Sequence, residues 1–263
     1  MSTKLKIAAA VAAAVLLSAC SSPKHEPMPL VKFTPSMEVT EVWSKGLSSA
    51  EGFLVPAVYD DMVFAAGGKT LTRLNARTGE TEWSVSFNSP ITGGVGSDGY
   101  VTAVGLWDGN LEVVDAEGKV SWEKKLTTEL ASPPVVSHGL VIARTMDTRV
   151  SAFEASSGEL QWTYQRSQPA LTVRLPTRML AHDNFLLVGQ PNGHIVILDI
   201  ASGKPMFEFQ VAQAKGVTEV ERLVDVVGAP AFSDNLVCAA AFQGAVTCVD
   251  STNGQTRWTQ KID

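Results

Sequence analysis

The stretch Asn75-Ala76-Arg77-Thr78-Gly79-Glu80-Thr81-Glu82-Trp83 returns in altered form four more times. Its copies are Asp115-Ala116-Glu117-Gly118-Lys119-Val120-Ser121-Trp122, Glu154-Ala155-Ser156-Ser157-Gly158-Glu159-Leu160-Gln161-Trp162, Asp199-Ile200-Ala201-Ser202-Gly203-Lys204-Pro205-Met206-Phe207 and Asp250-Ser251-Thr252-Asn253-Gly254-Gln255-Thr256-Arg257-Trp258. Their glycines lie 39, 40, 45 and 51 residues apart. Five of the six tryptophans (Trp43, Trp83, Trp122, Trp162 and Trp258) mark repeat ends, and Phe207 fills the remaining place. Self-similarity at such a period marks a repeat architecture and outranks any local reading.

Upstream of each ending a second turn separates two apolar runs: Gly67-Gly68, Asp108-Gly109, Asp147-Thr148, Asn192-Gly193 and Gln243-Gly244. Asp-Gly and Asn-Gly are tight hairpin signals because both central residues need positive φ. A third turn comes earlier: Tyr59-Asp60-Asp61, Ser97-Asp98-Gly99, Ser137-His138-Gly139, His182-Asp183-Asn184 and Ser233-Asp234-Asn235. Each repeat therefore reads as four short antiparallel strands joined by three turns. Repeats of this kind are blades, so the expected fold is an all-β β-propeller. The ending also resembles the tryptophan-docking signature, Leu-Asp-Ala-x-Thr-Gly-x-x-x-Trp, of the pyrroloquinoline-quinone-type propeller repeat. The resemblance implies that Trp43, Trp83, Trp122, Trp162, Phe207 and Trp258 are structural aromatics, each lying against the glycine turn of a neighbouring blade.

Composition agrees with a folded, non-nucleic-acid-binding chain. Of 263 residues, 45% are hydrophobic and 18% charged, enough for a core. A net charge of −6 without a basic tract argues against nucleic acid as a partner. Three cysteines are too few for a disulfide scaffold. At the N-terminus, Lys4 and Lys6 precede an apolar run from Ile7 to Leu17, too short to span a bilayer. The run ends in Leu17-Ser18-Ala19-Cys20, the lipobox of a lipoprotein signal peptide. Residues 1–19 are thus expected to be cleaved and Cys20 to be lipidated, with enough acyl chain for stable anchoring. By resemblance to bacterial lipoproteins, Ser21 permits sorting to the outer membrane. Residues 20–36, with four prolines after Cys20, read as an extended tether on the periplasmic side. The propeller occupies 37–263.

The repeats differ in one half only. From hairpin turn to closing aromatic the distances are 15, 13, 14, 14 and 14 residues. From the preceding aromatic to the turn they are 25, 26, 26, 31 and 37. The fourth and fifth repeats therefore carry insertions where the chain enters the blade, both on the same face. Insertions of this kind either pack on their own blade or carry binding, and their shared face favours binding. The first contains Gln168-Pro169-Ala170-Leu171-Thr172-Val173-Arg174-Leu175-Pro176, an alternation fit to offer an edge to a partner. The second contains Gly216-Val217-Thr218-Glu219-Val220-Glu221-Arg222-Leu223-Val224-Asp225-Val226-Val227.

The lipobox, the proline tether, a single propeller and the strings Leu-Thr-Val-Arg and Thr-Glu-Val-Glu-Arg-Leu-x-Asp-Val together resemble the BamB family, lipoproteins of the outer-membrane β-barrel assembly machinery. The resemblance runs over the whole chain. It implies a non-enzymatic scaffold that binds the periplasmic POTRA domains of the central subunit, BamA, and assists insertion of barrel proteins. Unfolded outer-membrane clients are a second partner class. Carried over by motif, the contact residues are Leu171, Val173, Arg174 and Asp225. The family's second aspartate of the latter loop is replaced here by Val227. The family also closes its ring with eight blades. Five complete units lie here, and Met37–Trp43 is expected as a sixth closing strand, so the chain reads as about five-eighths of a ring truncated at its C-terminus.

Enzymatic motifs are lacking in the sequence. His25, His138, His182 and His194 have no second ligand at metal spacing, so no metal is expected. Cys238 and Cys248 flank the Gln243-Gly244 turn. A two-residue turn offsets them by one and points them to opposite faces, which favours buried thiols over a bridge. The rival reading is a pyrroloquinoline-quinone-dependent periplasmic dehydrogenase, since those enzymes use this repeat. Their adjacent Cys-Cys pair is missing, and no cofactor is expected.

Overall fold

The structure, a computed structural model, describes residues 31–49, 54–173, 175 and 177–261. Residues 31–41 are exposed, carry no strand and belong to a first unit, separate from the rest. Among the described residues, the second unit, from Val42 on, holds twenty strands in five antiparallel sheets of four, each in chain order. The first sheet comprises β1 (Ala57–Tyr59), β2 (Met62–Gly67), β3 (Thr70–Asn75) and β4 (Thr81–Ser86). The second comprises β5 (Ile91–Ser97), β6 (Thr102–Leu106), β7 (Asn110–Val114) and β8 (Val120–Lys125). The third comprises β9 (Val135–Ser137), β10 (Leu140–Arg144), β11 (Val150–Glu154) and β12 (Leu160–Tyr164). The fourth comprises β13 (Leu180–His182), β14 (Phe185–Gln190), β15 (His194–Asp199) and β16 (Pro205–Gln210), and the fifth β17 (Val226–Ser233), β18 (Leu236–Ala241), β19 (Ala245–Asp250) and β20 (Thr256–Lys261). These are the blades expected from the repeats. Met37–Trp43 is an exception: it carries no strand, because each third strand already pairs with its own fourth strand.

Successive first strands touch: β1 meets β5, β5 meets β9, β9 meets β13, and β13 meets β17. They form the inner edge, and the fourth strands form the outer one. Burial follows this order. The middle strands β6 and β10 are buried throughout, whereas β20 is exposed throughout. Four apolar clusters lie between consecutive sheets, for example Phe64, Ile91, Val95 and Val104 between the first and second. Strands sandwiched in this way need apolar residues on both faces, which is why their sequences run nearly uninterrupted.

The closing aromatics join the sheets. The Nε1–H groups of Trp43, Trp83, Trp122 and Trp162 donate to the carbonyls of Ala76, Ala116, Ala155 and Ile200 at 2.8–2.9 Å. Each ring lies over the glycine of the next sheet's last turn. A Cβ on Gly203 would stand 2.4 Å from Trp162, and Gly203 has φ +68. Only glycine meets both demands. Opposite the aromatic of each fourth strand the third strand carries a register shift, as at Arg73/Leu74 facing Trp83. Such a bulge bends the outer strand and re-aims its side chain.

The cysteine expectation is overturned: Cys238 and Cys248 form a disulfide, with Cα atoms 4.1 Å apart. The turn between β18 and β19 has three residues, 242–244, so the two cysteines are direct cross-strand partners on one face. The extra residue is accommodated by Gln243 at φ +48.

Glu112 is buried on β7 directly opposite Glu123. Burial first, then the charges of Glu123 and Asp108, push its carboxyl up to about 7. Between about 4.5 and 7 the folded chain then holds more protons than the unfolded one, so this contribution favours folding at acid pH and is lost as pH rises through that window. We expect the melting temperature of the wild type to fall more steeply across that window than that of Glu112→Gln. Parallel profiles from calorimetry at a series of pH values would reject the assignment.

Candidate functional site

The up-and-down order places the second turn of each sheet and the connections between sheets at one end of the molecule. Both insertions emerge there. Among the described residues of the first, between β12 and β13, sheet pairing begins at Thr177, which forms a parallel bridge with Gly228. Arg178 N–H donates to the Gly228 carbonyl at 2.9 Å, tying the first loop to the start of β17.

Asp225 is the second tie. It is 6% exposed and faces inward, not towards the surface where a partner contact was expected. One carboxylate oxygen accepts the Val173 N–H at 2.6 Å, and the other accepts the Asn192 N–H at 3.1 Å. Its own carbonyl accepts Phe242 N–H at 2.9 Å. One side chain thus holds the first insertion, the β14–β15 turn and the second insertion in register. A buried carboxylate demands such donors, and an ionised acceptor makes the stronger bonds.

Arg144 lies beside this latch. It closes β10, is 4% exposed, and donates through Nη1 to Thr177 Oγ1 at 2.7 Å. Burial pulls its guanidinium down to about 10, and the negative charge of Asp225 works in the opposite direction. Arg144 Nε, Thr148 Oγ1 and Gln190 Nε2 border a cavity of about 40 Å³ under Thr172, Val173 and Leu175. Sequence reading missed Arg144 and Gln190. The available signal was a charged or polar residue ending an otherwise apolar strand, as in Leu140-Val141-Ile142-Ala143-Arg144.

Above the latch the loops present apolar groups. Leu171 is 41% and Leu175 43% exposed, and Val173 is half-buried. On the second insertion Val217 and Val220 are exposed, at the two ends of a turn closed by Glu221, whose carboxylate accepts the N–H groups of Val217 and Thr218 at 2.9 and 3.0 Å. Those backbone donors hold the Glu221 carboxyl below its usual range. Val227, in the place of the family's second aspartate, is half-buried in β17. Trp107, the tryptophan outside the repeat endings, stands exposed on the β6–β7 turn at the same end. Arg174 and Cys20 lie outside the described residues. Among the described residues, no three His, Cys, Asp or Glu side chains gather as metal ligands.

The arrangement is a braced apolar surface. A family model described as outer membrane protein assembly factor BamB matches residues 67–263. Outer membrane protein assembly factor BamB of Burkholderia pseudomallei is 38% identical over 256 residues, 95% of this chain and 67% of that protein. The protein of the same name from Bordetella pertussis is 34% identical over 92% of this chain and 65% of its own length. The crystal structure of BamB from Moraxella catarrhalis matches with a TM-score of 0.73 at 28% identity, covering 80% of this chain and 64% of that one. Quinohemoprotein alcohol dehydrogenase from Comamonas testosteroni has a TM-score of 0.64 at 18% identity over 82% of this chain and 44% of its own, a likeness of fold alone. This chain spans about two-thirds of the length of the relatives it matches.

Proposed function

The chain belongs to the family of outer membrane protein assembly factor BamB, and from that premise we propose that it is a non-enzymatic scaffold lipoprotein of the outer-membrane β-barrel assembly complex. It is anchored through Cys20 on the periplasmic face of the outer membrane, binds the POTRA domains of BamA, and thereby assists folding and insertion of barrel proteins. The observation that carries this reading is the latch of Asp225 on Val173, which holds Leu171 and Leu175 outward on a braced loop. A pre-ordered apolar loop binds without a large ordering cost. Arg174 is the polar anchor of the contact, since interface arginines are frequent hot spots. The dehydrogenase reading has only the shared fold in its favour.

The test is capture by immobilised POTRA domains of BamA. Leu171→Ala and Arg174→Ala are each expected to weaken capture about tenfold, the loss of a 1–2 kcal/mol contact. Their thermal unfolding should match the wild type, because Leu171 is exposed. Capture unchanged in both variants would reject this surface.

A further inference from the structure

The aromatic contact between the fourth and fifth sheets departs from the four tryptophan contacts. There Phe207 replaces tryptophan. The indoles of Trp43, Trp83, Trp122 and Trp162 meet the facing glycine through Cδ2 and Cε3, so the rest of the ring runs on to a carbonyl. Phe207 meets Gly254 with its tip, through Cζ and Cε2. The ring ends where an indole would continue. Among the described residues no donor reaches the Ser251 carbonyl, which holds the place of the Ala155 carbonyl where Trp122 docks. A cleft of about 540 Å³ opens there, lined by Phe185, Met206, Phe207, Phe232, His182 and Ser251. Met206 and Phe185 are exposed on it, and His182 stacks on Phe232 at 3.8 Å.

We propose that this cleft binds a tryptophan side chain presented by a polypeptide with basic neighbours. The apolar walls match the ring faces. The open carbonyl of Ser251 matches the indole N–H, as the carbonyls of Ala76, Ala116, Ala155 and Ile200 do in the other joints. Asp183 lines the cleft with its side chain 80% exposed, and its carboxylate favours a cation beside the ring. This site is separate from the loops proposed to meet BamA.

The probe is the peptide acetyl-Lys-Trp-Lys-amide, with acetyl-Lys-Leu-Lys-amide as control, titrated into the full chain while the methyl resonances of Met206 and Val237 are followed by NMR. The tryptophan peptide is expected to give saturable shifts at both, at an affinity at least about tenfold above the control. Phe207→Trp fills the cleft from within. It should abolish the shifts and raise the urea midpoint, because the carbonyl gains its donor. Met206→Lys places a repelling cation at an exposed position, and should weaken binding with the urea midpoint unchanged. No saturable shift, equal shifts with both peptides, or a Phe207→Trp chain that still binds would each overturn the proposal.

Discussion

Trp162→Ala is expected to lower the unfolding free energy by about 3–5 kcal/mol, the range for deleting a large buried aromatic. Trp162 is 9% exposed and packs among Leu186, Val196, Leu198 and Ile200 between the third and fourth sheets. Its removal opens a cavity at that joint and orphans the Ile200 carbonyl. Trp162→Phe separates the two effects. A phenyl ring still covers Gly203 while the donor is lost, at a cost of about 1 kcal/mol. Urea unfolding followed by circular dichroism distinguishes them. Equal, small losses for both variants would mean that the joint is not what holds the sheets together. In repeat folds stability is close to a sum of unit and interface contributions, so the loss should localise to this joint.

Asp225→Ala carries the second large effect. It leaves two partly shielded N–H groups, those of Val173 and Asn192, without the buried carboxylate that accepts them. It also strips a negative charge from the surroundings of buried Arg144. A hydrogen bond to a charged group contributes about 1.5–3 kcal/mol, and both donors are only partly shielded, so a loss of about 2–4 kcal/mol is expected. Hydrogen exchange should show it locally, with the amides of Val173 and Asn192 accelerating far more than those of β6. Pairing Asp225→Ala with Arg144→Met should recover part of the loss, since removing both charges of a buried set is milder than removing one. Capture by BamA should fall with the first substitution although Asp225 itself is buried, because the loop that carries Leu171 is released. Exchange at Val173 unchanged from the wild type would remove the latch from the account.

Much of the fold was legible because blade chemistry is local. A glycine with positive φ, a closing aromatic and short apolar runs recur within each repeat, and each acts over a few residues. The same locality placed both insertions at one end. The cysteines were misread for an equally local reason: one extra residue in the 242–244 turn changes which side chains face each other. The role of Asp225 was illegible for the opposite reason. Its acceptors serve Val173 and Asn192, 52 and 33 residues away in sequence.

By itself, the sequence determined that this chain is a series of four-stranded blades, because turn geometry and strand burial are written into neighbouring residues. Tertiary structure alone decided that the Asp225 carboxylate braces the loops. It alone decided that Cys238 and Cys248 are bridged, and that replacing one tryptophan by Phe207 opens a cleft. Each of these depends on which groups packing brings within bonding distance, and a linear pattern does not encode that distance.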